Sequence, residues 1–435
     1  MKRYDNYKSS GVEWIGDIPE HWQLKSLRRI TKEHRQGFYT SSEYLNEGVK
    51  LVRITDLDEN GNVSYEKMPY VNISAKDEEV FQVKTGDFLF PRTGSIGLLG
   101  LVKEPERAVF ASYLINFRFE EIALQDFLKY YFFSQAFKNG IISDLHGGVN
   151  QNIHAENIKN QFIAIPLPEE QTAIAKYLDE KTEQIDKLIV GKRRLIELLK
   201  EERIAIINHA ITKGINEHAK LRPSGIDWLG DIPEHWEVKK LKQLLSKVID
   251  NRGKTPPFGT EGVPMLEVKN ITEGKKFPTE VFEKYVQPEV VPNYERDKVQ
   301  IGDLLISTVG ATSGKVVIIK NKPNYFIAQN VVGLRPITSI NTLFFYYLLS
   351  SDYFYASLQM INKSNTIDNL KVSIFINNIC LLPPSEEQAQ IVEFIEAKSN
   401  EIGSTISKVV KEIELLQEYR TALISEVVTG KIKVV

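Results

Sequence analysis

The sequence contains one long segment twice, and this repetition limits the folds that the chain can adopt. Residues 11–27 read GVEWIGDIPEHWQLKSL and residues 225–241 read GIDWLGDIPEHWEVKKL, with 11 identities in 17 aligned positions. Three further pairs of similar segments follow in the same order: 84–97 with 299–314, 165–181 with 381–398, and 198–214 with 415–431. Ordered matches at offsets of 214 to 217 residues indicate a tandem duplication of one large unit, because solenoid repeats are only about 20–50 residues long.

Each copy is predicted to begin with a compact α+β module. Short β-like runs at 50–54 and 316–319 are separated from other elements by Gly, Pro and Asn. An aromatic-rich helical stretch follows at 127–133 in the first copy and at 343–349 in the second. These aromatic residues have apolar neighbours on the same helix, which favours a protein core over a surface for base stacking.

A long helix is predicted after each module. Prolines are followed by the pairs Glu169-Glu170 and Glu386-Glu387, and carboxylates suit the first turn because a helix N-terminus carries partial positive charge. No proline interrupts either segment before its terminal glycine. The expected divisions are a first module at 1–165, a central helix at 166–214, a second module at 215–382 and a distal helix at 383–435.

Both helices carry an apolar seam with the alternating spacing of four and three residues that is typical of a coiled coil. The seam residues are Ile185, Ile189, Ile196, Leu199, Arg203 and Ile206 in the first copy, and Ile402, Ile406, Val409, Ile413, Leu416, Arg420, Leu423 and Val427 in the second. A seam of this length requires a helical partner, and the other copy is the obvious one. Arg203 and Arg420 interrupt the seam at equivalent places, either as register or partner contacts or as side chains that extend to water.

Composition indicates a globular protein of the cytoplasm. The 435 residues are 42% hydrophobic, and no run of about 18 apolar residues that could span a membrane occurs. The N-terminal segment lacks the apolar region of a signal peptide. The single cysteine, Cys380, fits a reducing compartment and is expected to be a buried structural residue. The net charge of −2 does not by itself indicate nucleic-acid binding.

A search for catalytic motifs leaves one alternative open. GATSGKV at 310–316 lacks the spacing and the final Ser or Thr of a phosphate-binding loop, and no zinc-ligand or nucleophile motif is present. Glu267 and Lys269 have the E-x-K spacing of metal-dependent nucleases, although the first copy has no acid at the matching place. We therefore expect no catalytic residue, no metal site and no cofactor on this chain, with a standalone metal-dependent endonuclease that uses Glu267 and Lys269 as the alternative.

Several loops combine glycine with side chains that hydrogen bond to bases and phosphates. Their recurrence at matching places, with different side chains in each copy, is typical of two readers with different targets. The candidate DNA-binding residues are Arg35, Gln36, Arg53, Arg92, Thr93, Ser95, Asn150 and Gln151 in the first module, and Arg252, Lys254, Thr255, Lys269, Asn270, Thr308, Ser313, Lys315, Lys363 and Asn365 in the second.

Over nearly its whole length the chain resembles the specificity subunits of type I restriction–modification systems. The resemblance rests on the W-x-G-D-I-P-E-H-W motif at 14–22 and 228–236, the proline- and glutamate-containing helix starts, the T-G-K-like helix ends and the loop at 252–257. It implies two target-recognition domains, each of which reads half of a split DNA site, separated by two long helices that pair as an antiparallel coiled coil.

The resemblance also implies the partners. These are double-stranded DNA, two modification subunits that are adenine methyltransferases, and restriction subunits that translocate DNA. S-adenosylmethionine, ATP and magnesium are then expected on those partner subunits, and no membrane is expected to be involved. A third interpretation is a helical tether for other proteins that does not contact DNA.

Overall fold

The computed structural model describes the chain except for residues 1, 94–96, 146–151, 227–228, 252–255, 272–273, 296, 311–312, 363–369 and 435. It forms two compact units. Unit 1 comprises residues 1–193 with 410–435, and unit 2 comprises residues 194–409. Each long helix therefore contributes one part to each unit, whereas the four divisions expected from the sequence stay a prediction.

Unit 1 contains a series of short strands and helices before its first long helix. Its strands are β1 (Tyr7–Ser9), β2 (Asp17–Pro19), β3 (Gln23–Ser26), β4 (Thr31–Gln36), β5 (Val49–Val52), β6 (Tyr70–Val71), β7 (Phe88–Pro91), β8 (Gly100–Leu101), β9 (Ala108–Phe110), β10 (Leu114–Phe119) and β11 (Phe162–Ile165). The helices are α1 (Leu27–Ile30), α2 (Ala75–Phe81), α3 (Gln125–Phe133), α4 (Gln135–Asp144), α5 (Ala155–Lys159) and the long α6 (Pro168–Lys213), with a 3-10 turn at Ile54–Asp56.

Unit 2 repeats this order of elements. Its strands are β12 (Leu221–Pro223), β13 (Asp231–Pro233), β14 (Glu237–Lys240), β15 (Leu245–Ile249), β16 (Val263–Leu266), β17 (Tyr285–Val286), β18 (Leu304–Ser307), β19 (Val316–Ile318), β20 (Phe326–Ile327), β21 (Val331–Pro336) and β22 (Ile379–Leu382). The helices are α7 (Thr342–Leu349), α8 (Asp352–Asn362), α9 (Val372–Phe375) and the long α10 (Ser385–Val428), with 3-10 turns at Leu241–Gln243, Val268–Asn270 and Val291–Asn293.

The sheets of the two units have the same topology. Unit 1 has a four-stranded antiparallel sheet in the order β4-β10-β7-β8, a three-stranded sheet in the order β6-β5-β9 and the pairs β1-β2 and β3-β11. Unit 2 has the corresponding sheets β15-β21-β18-β19 and β17-β16-β20 and the pairs β12-β13 and β14-β22. The β5–β9 and β16–β20 pairs are both parallel. This match confirms the tandem duplication and the predicted combination of helices and sheets.

The aromatic-rich helices lie in the cores of their units. Phe127, Tyr131 and Phe132 on α3 are fully buried, as are Phe344 and Phe345 on α7. The prediction that these aromatic residues form a core is confirmed. Cys380 on β22 is also buried, and burial raises the pKa of its thiol. None of the helices in the described part of the chain is both long and apolar enough to cross a bilayer.

Within unit 1 the two long helices pack antiparallel. Lys192 Nζ lies 2.5 Å from Glu412 Oε2, and Arg420 Nε donates to Asp186 Oδ1 over 3.0 Å, so residue numbers rise on α6 as they fall on α10. The seam residues Ile185, Ile189, Leu423 and Val427 belong to one buried cluster. In unit 2, Ala210 of α6 shares a buried cluster with Ile391 and Ile395 of α10. All fourteen predicted seam residues are buried or half-buried, as a coiled-coil seam requires.

The two arginines of the seam have different surroundings. Arg420 spans from one long helix to the other, because its guanidinium bonds Asp186 of α6. Its side chain therefore specifies the register in unit 1 and does not extend to water. Arg203 is also half-buried and contributes positive charge beside Tyr346 and Tyr347, but the residue that corresponds to Asp186 is Gly403.

The PEHW motif, residues 19–22 and 233–236, anchors the start of a long helix. In unit 1 the fully buried Trp22 donates from Nε1 to Glu170 Oε2 over 3.1 Å, and His21 Nε2 lies 3.0 Å from the same oxygen. The Tyr4 hydroxyl donates to the other carboxylate oxygen. Burial and the adjacent Glu170 raise the pKa of Tyr4. The repeated motif is therefore structural, since it binds the glutamate in the first turn of α6.

The same arrangement recurs in unit 2, and a helix end joins it. Glu387 of α10 accepts from Trp236 Nε1 over 3.1 Å and lies 2.7 Å from His235 Nε2. Gly214, just after α6, has a φ of 78°, and a Cβ there would lie 3.3 Å from the Trp236 ring. At Gly430, the corresponding glycine of unit 1, a Cβ would lie 2.3 Å from Pro19. Glycine is required there because the backbone has a positive φ and passes directly over the motif.

Replacing Glu170 with Ala is expected to destabilise unit 1 by about 1–3 kcal/mol, because the buried indole N–H of Trp22 then has no acceptor. Urea denaturation followed by tryptophan fluorescence measures the loss. Glu169→Ala is the matched control, since the exposed neighbour carries the same charge in the same helical turn. Equal loss in both variants would show that charge near the helix N-terminus, and not the contact with Trp22, is responsible.

A buried ion pair links two neighbouring strands of each four-stranded sheet, beside the Gly-Asp dipeptides at 86–87 and 302–303 that both copies share. Asp303, which is 1% exposed, accepts from Arg335 Nε and Nη2, each over 2.8 Å. In unit 1 the fully buried Asp87 accepts from Arg118 Nε over 2.5 Å and from the side-chain amide of Asn116 over 2.7 Å. The hydrogen bond to Asp303 holds the pKa of Arg335 above its usual value.

Arg335→Ala is expected to cost about 3–5 kcal/mol, because it leaves the Asp303 carboxylate buried without its counter-charge. The free energy of unfolding is the measurement, and Lys298→Ala, at a highly exposed side chain nearby, is the control. Adding Asp303→Asn to Arg335→Ala removes the uncompensated charge and is expected to restore part of the loss. Failure of the second change to restore any stability would contradict this account of the pair.

Candidate nucleic-acid interface

In unit 1, three loops meet at one end of the four-stranded sheet. Strands β4 and β7 are both antiparallel to β10, so the ends of β4 and β7 lie beside the start of β10. Gln36 Nε2 donates to Ser112 O over 3.3 Å, and the Arg92 amide donates to Tyr113 O over 2.9 Å. A fourth segment joins them, because the Ile153 amide donates to Arg92 O over 2.8 Å.

Glycine at position 37 allows this close approach. A Cβ at Gly37 would lie 2.2 Å from the carbonyl oxygen of Ala111, which no side chain tolerates. The next residue, Phe38, donates its amide to Phe110 O over 2.7 Å. This glycine therefore packs the β4 loop against the protein's own backbone.

The side chains at this end of unit 1 include basic, amide and aromatic groups. We call this set the first loop surface: Arg35, Gln36, Tyr39, Arg92, Thr93 and Tyr113. Arg35 is exposed, with its guanidinium 3.5 Å from Glu33. Arg92 is half-buried, and its guanidinium makes no hydrogen bond or ion pair with the described residues. Tyr39 and Tyr113 are exposed and were missed from the sequence, since isolated tyrosines beside turns carry no distinctive pattern.

Unit 2 brings the corresponding loops together. The Thr308 amide donates to Asn330 O over 3.0 Å, and the Leu370 amide donates to Thr308 O over 2.7 Å. Ile249, the last residue of β15, pairs with Gly333 near the start of β21, so the β15 loop leaves from the same end. The predicted residues Ser95, Asn150, Gln151, Arg252, Lys254, Thr255, Lys363 and Asn365 lie outside the described residues.

The sequence predicts Arg53 as a DNA contact, but its side chain is bonded within the protein. It stands before the 3-10 turn at Ile54–Asp56, and its Nε and Nη2 donate to the Asp56 carboxylate over 3.1 and 3.0 Å. A further bond joins its guanidinium to Lys67 O. The hydrogen bond to Asp56 raises the pKa of Arg53. The guanidinium is therefore occupied within the protein, and a contact with a base would require these bonds to break.

Three predicted residues of unit 2 are buried. Asn270 is 1% exposed, and its amide bonds the backbone of Glu267, Thr279 and Val281. Thr308 is also buried, and its hydroxyl donates a hydrogen bond to Asn330 O over 3.1 Å. Ser313 is buried, and its hydroxyl has no hydrogen-bond partner among the described residues. Burial withdraws these side chains from a ligand at the surface, so a contact with DNA would require the loops that hold them to rearrange. Lys315 is half-buried at the start of β19.

Nothing supports a metal-dependent endonuclease at Glu267 and Lys269. Glu267 Oε1 lies 2.7 Å from Lys284 Nζ, and its Oε2 lies 3.3 Å from Lys269 Nζ, which also pairs with Glu283. Burial by itself would raise the pKa of Glu267, but the bonds from the two lysines outweigh it and lower that pKa. The carboxylate is therefore already neutralised. Within the described ranges no three His, Cys, Asp or Glu residues are grouped so that they could hold a metal ion.

Comparison with known proteins identifies the family. The model of the type I restriction modification DNA specificity domain matches residues 19–198 and again residues 233–414. The type I restriction enzyme MjaVIII specificity subunit of Methanocaldococcus jannaschii is 26% identical over 431 residues, which cover 97% of this chain and 92% of that protein. The EcoBI specificity subunit of Escherichia coli is 23% identical over 403 residues, with coverage of 88% and 81%.

Solved structures show the same fold. One solved chain superposes with a TM-score of 0.69 at 18% identity, and the match covers 95% of this chain and 99% of that one. It comes from work on the structural basis of complex assembly and conformational transition of the type I R-M system. The HsdS subunit from Thermoanaerobacter tengcongensis gives a TM-score of 0.56 at 18% identity, with coverage of 95% and 98%. With the family model matched twice along most of its length, this chain belongs to the type I restriction–modification DNA specificity family and carries the family's domain in two copies.

Proposed function

We propose that this chain reads a bipartite DNA target, with one half recognised by the loops of each unit, inside a type I restriction–modification complex. One observation carries the proposal: the same loop arrangement occurs twice with different side chains. Where unit 1 has Arg92 and Tyr113, unit 2 has Thr308 and Asn330 in the same backbone hydrogen bond. Thr308 is itself buried, but the pair shows that one backbone frame carries different side chains in the two units. A duplicated frame with different side chains suits recognition of two different half-sites.

The chemistry of the first loop surface suits the edges of base pairs. An arginine can donate two hydrogen bonds to a guanine, a glutamine can pair with an adenine, and such contacts distinguish one base pair from another. The chain as a whole has a charge of only −2, so it offers little general attraction for phosphates. We infer that partner subunits supply much of the phosphate contact.

The long helices offer places for those partners. Large apolar side chains are exposed on them, outside the buried seam: Leu188, Val190, Val410, Leu415 and Tyr419 in unit 1, and Leu195, Leu198, Ile204 and Phe394 in unit 2. Exposed apolar residues grouped on one element are typical of a protein–protein interface. Two modification subunits, adenine methyltransferases that bind S-adenosylmethionine, would bind these helices.

Catalysis then belongs to the partners. The modification subunits would transfer the methyl group, and restriction subunits that use ATP and magnesium would translocate and cut DNA in the prokaryotic cytoplasm. The role of this chain would be to recognise the target and to hold the other subunits in place.

Co-expression of this chain with a modification subunit from the same genome, followed by methylation-sensitive sequencing, is expected to show methylated adenines in a single split motif. The chain alone, incubated with magnesium and plasmid, is expected to leave the DNA intact. Methylation without a shared motif, or cleavage by the chain alone, would contradict the proposal. A complex that assembles but binds no DNA would favour the helical tether.

Arg92→Ala is expected to weaken discrimination at one base pair of a single half-site by about 1–3 kcal/mol, roughly 5- to 150-fold, because it removes a guanidinium that the described residues leave unpaired. Relative methylation of a library randomised at each half-site position is the measurement. Arg107→Ala is the control. Arg107 lies just before β9, whereas Ala111, near the first loop surface, lies just after β9, and the Arg107 guanidinium is paired with Glu78. An equal loss at both half-sites would contradict the assignment of unit 1 to one half-site.

A further inference from the structure

In unit 2, a loop of the module is bonded to a long helix at a carboxylate. This loop, residues 274–278, is called tie loop 2. Lys276 forms an ion pair with Glu396 of α10, and the Tyr347 hydroxyl of α7 donates to the same oxygen, Oε1, over 2.5 Å. The Lys276 ammonium also lies 5.4 Å from the centre of the Tyr347 ring. Three elements of unit 2 therefore meet at Glu396.

The corresponding loop of unit 1 makes the corresponding connection with different chemistry. Tie loop 1 is residues 58–62, and the Asn60 side-chain oxygen accepts from Arg420 Nη2 of α10 over 2.9 Å. The same guanidinium bonds Asp186 of α6. The Asp58 carboxylate accepts from the amides of Asn60 and Asn62 over 2.9 and 2.7 Å, which organises the loop internally.

Both tie loops are also bonded to an edge strand of their unit's four-stranded sheet, from one end of which the candidate DNA-binding loops leave. The Ile318 amide of β19 donates to Lys276 O over 2.7 Å, and the Leu101 amide of β8 donates to Gly61 O over 2.8 Å. Strands β8 and β19 occupy the same place in their sheets. Each tie loop therefore connects this sheet directly to the long helices of its own unit.

The surroundings of Glu396 favour a persistent ion pair with Lys276. The Lys276 and Glu396 side chains are 31% and 30% exposed, so the pair is partly shielded from water. Burial would raise the pKa of Glu396, but the bonds from Lys276 and Tyr347 outweigh it and lower that pKa, so the carboxylate remains charged near neutral pH.

The tie adds a directional contact to the other attachments of the module of unit 2. The module is joined covalently to α10 between β22, which ends at Leu382, and Ser385. It also packs against both long helices through a shared apolar core, and apolar packing has little directionality. Glu396 lies 11 residues beyond Ser385, or about 16 Å along the helix at 1.5 Å per residue. A directional bond at that distance fixes an angle that the apolar contacts only favour.

We propose that the tie loops are positioning elements that fix the angle between the four-stranded sheet of each unit and the long helices, and so make the complex strict about the number of base pairs between its half-sites. This inference rests on the proposed function. A one-base-pair change in the spacer moves a half-site by about 3.4 Å and rotates it around the DNA axis. A module with a fixed angle cannot follow that displacement, whereas a module free to rotate can.

The test uses the complex of the full chain with its modification subunits, after the wild-type target has been mapped. Plasmid libraries keep both half-sites and vary the spacer by one or two base pairs, and methylation is counted by sequencing. Lys276→Ala is expected to raise methylation of the altered spacers, relative to the native spacer, by about three- to tenfold, the coupling typical of residues in direct contact. The preferred bases in each half-site are expected not to change.

A charge exchange separates this role from general loss of stability. Lys276→Glu combined with Glu396→Lys restores an ion pair in reverse and is expected to bring back strict spacing, whereas either single change is expected to relax it. Lys398→Ala is the matched control, because Lys398 pairs with Glu401 on the exposed part of α10 close to the tie. Hydrogen exchange of the Ile318 amide, which requires no DNA, is expected to be faster in Lys276→Ala than in the wild type.

The outcomes are distinguishable. If the wild-type complex methylates no split target, the proposed function is wrong and this inference is wrong with it. If the wild type has a fixed spacer and Lys276→Ala keeps the same spacer profile, the proposed function stands and the tie loops are not positioning elements. Relaxed spacing that the charge exchange does not restore would also overturn the inference, because the ion pair would then not be its cause.

Discussion

The apolar seam between the two long helices is the constraint on which both units depend. Each helix contributes one part to unit 1 and the other to unit 2, so the core of each unit includes residues of both long helices. Leu423 and Val427, near the C-terminus, belong to the same core as Trp22 near the N-terminus. Burial of this seam therefore does more than join two helices, because it also completes the module beside it.

Polar contacts define where that apolar pairing begins and ends. Burial of apolar area has little directionality, so a seam of isoleucine and leucine tolerates more than one register. The bond from Arg420 to Asp186 selects one register in unit 1. The glutamate of each first helical turn, Glu170 or Glu387, is held by a tryptophan and a histidine of the PEHW motif. These few directional bonds fix a geometry that the apolar contacts only favour.

The two units show how one scaffold can carry two surfaces. The buried Asp–Arg pairs, the parallel strand pairs and the PEHW contacts recur in both, and they lie inside the units. The differences lie at the ends of the strands, where Arg92 corresponds to Thr308 and Tyr113 to Asn330. Because the shared bonds at these positions join backbone atoms, the side chains can differ without loss of the fold. This separation is consistent with a family whose members recognise DNA.

The sequence by itself determined the duplication, the two long helices, their seam and the aromatic cores. These features are periodic or repeated, so they can be detected without knowledge of distant contacts. Only the tertiary structure decided which polar side chains remain available for a ligand. Arg53 and Arg92 look alike in the sequence, yet Asp56 and Lys67 occupy the first, and the described residues leave the second unpaired. Asn270 is used by its own loop, and Gly37 packs against Ala111, 74 residues away. The physical reason is that a hydrogen-bonding group is free or occupied according to neighbours brought to it by folding, and those neighbours leave no periodic pattern in the sequence.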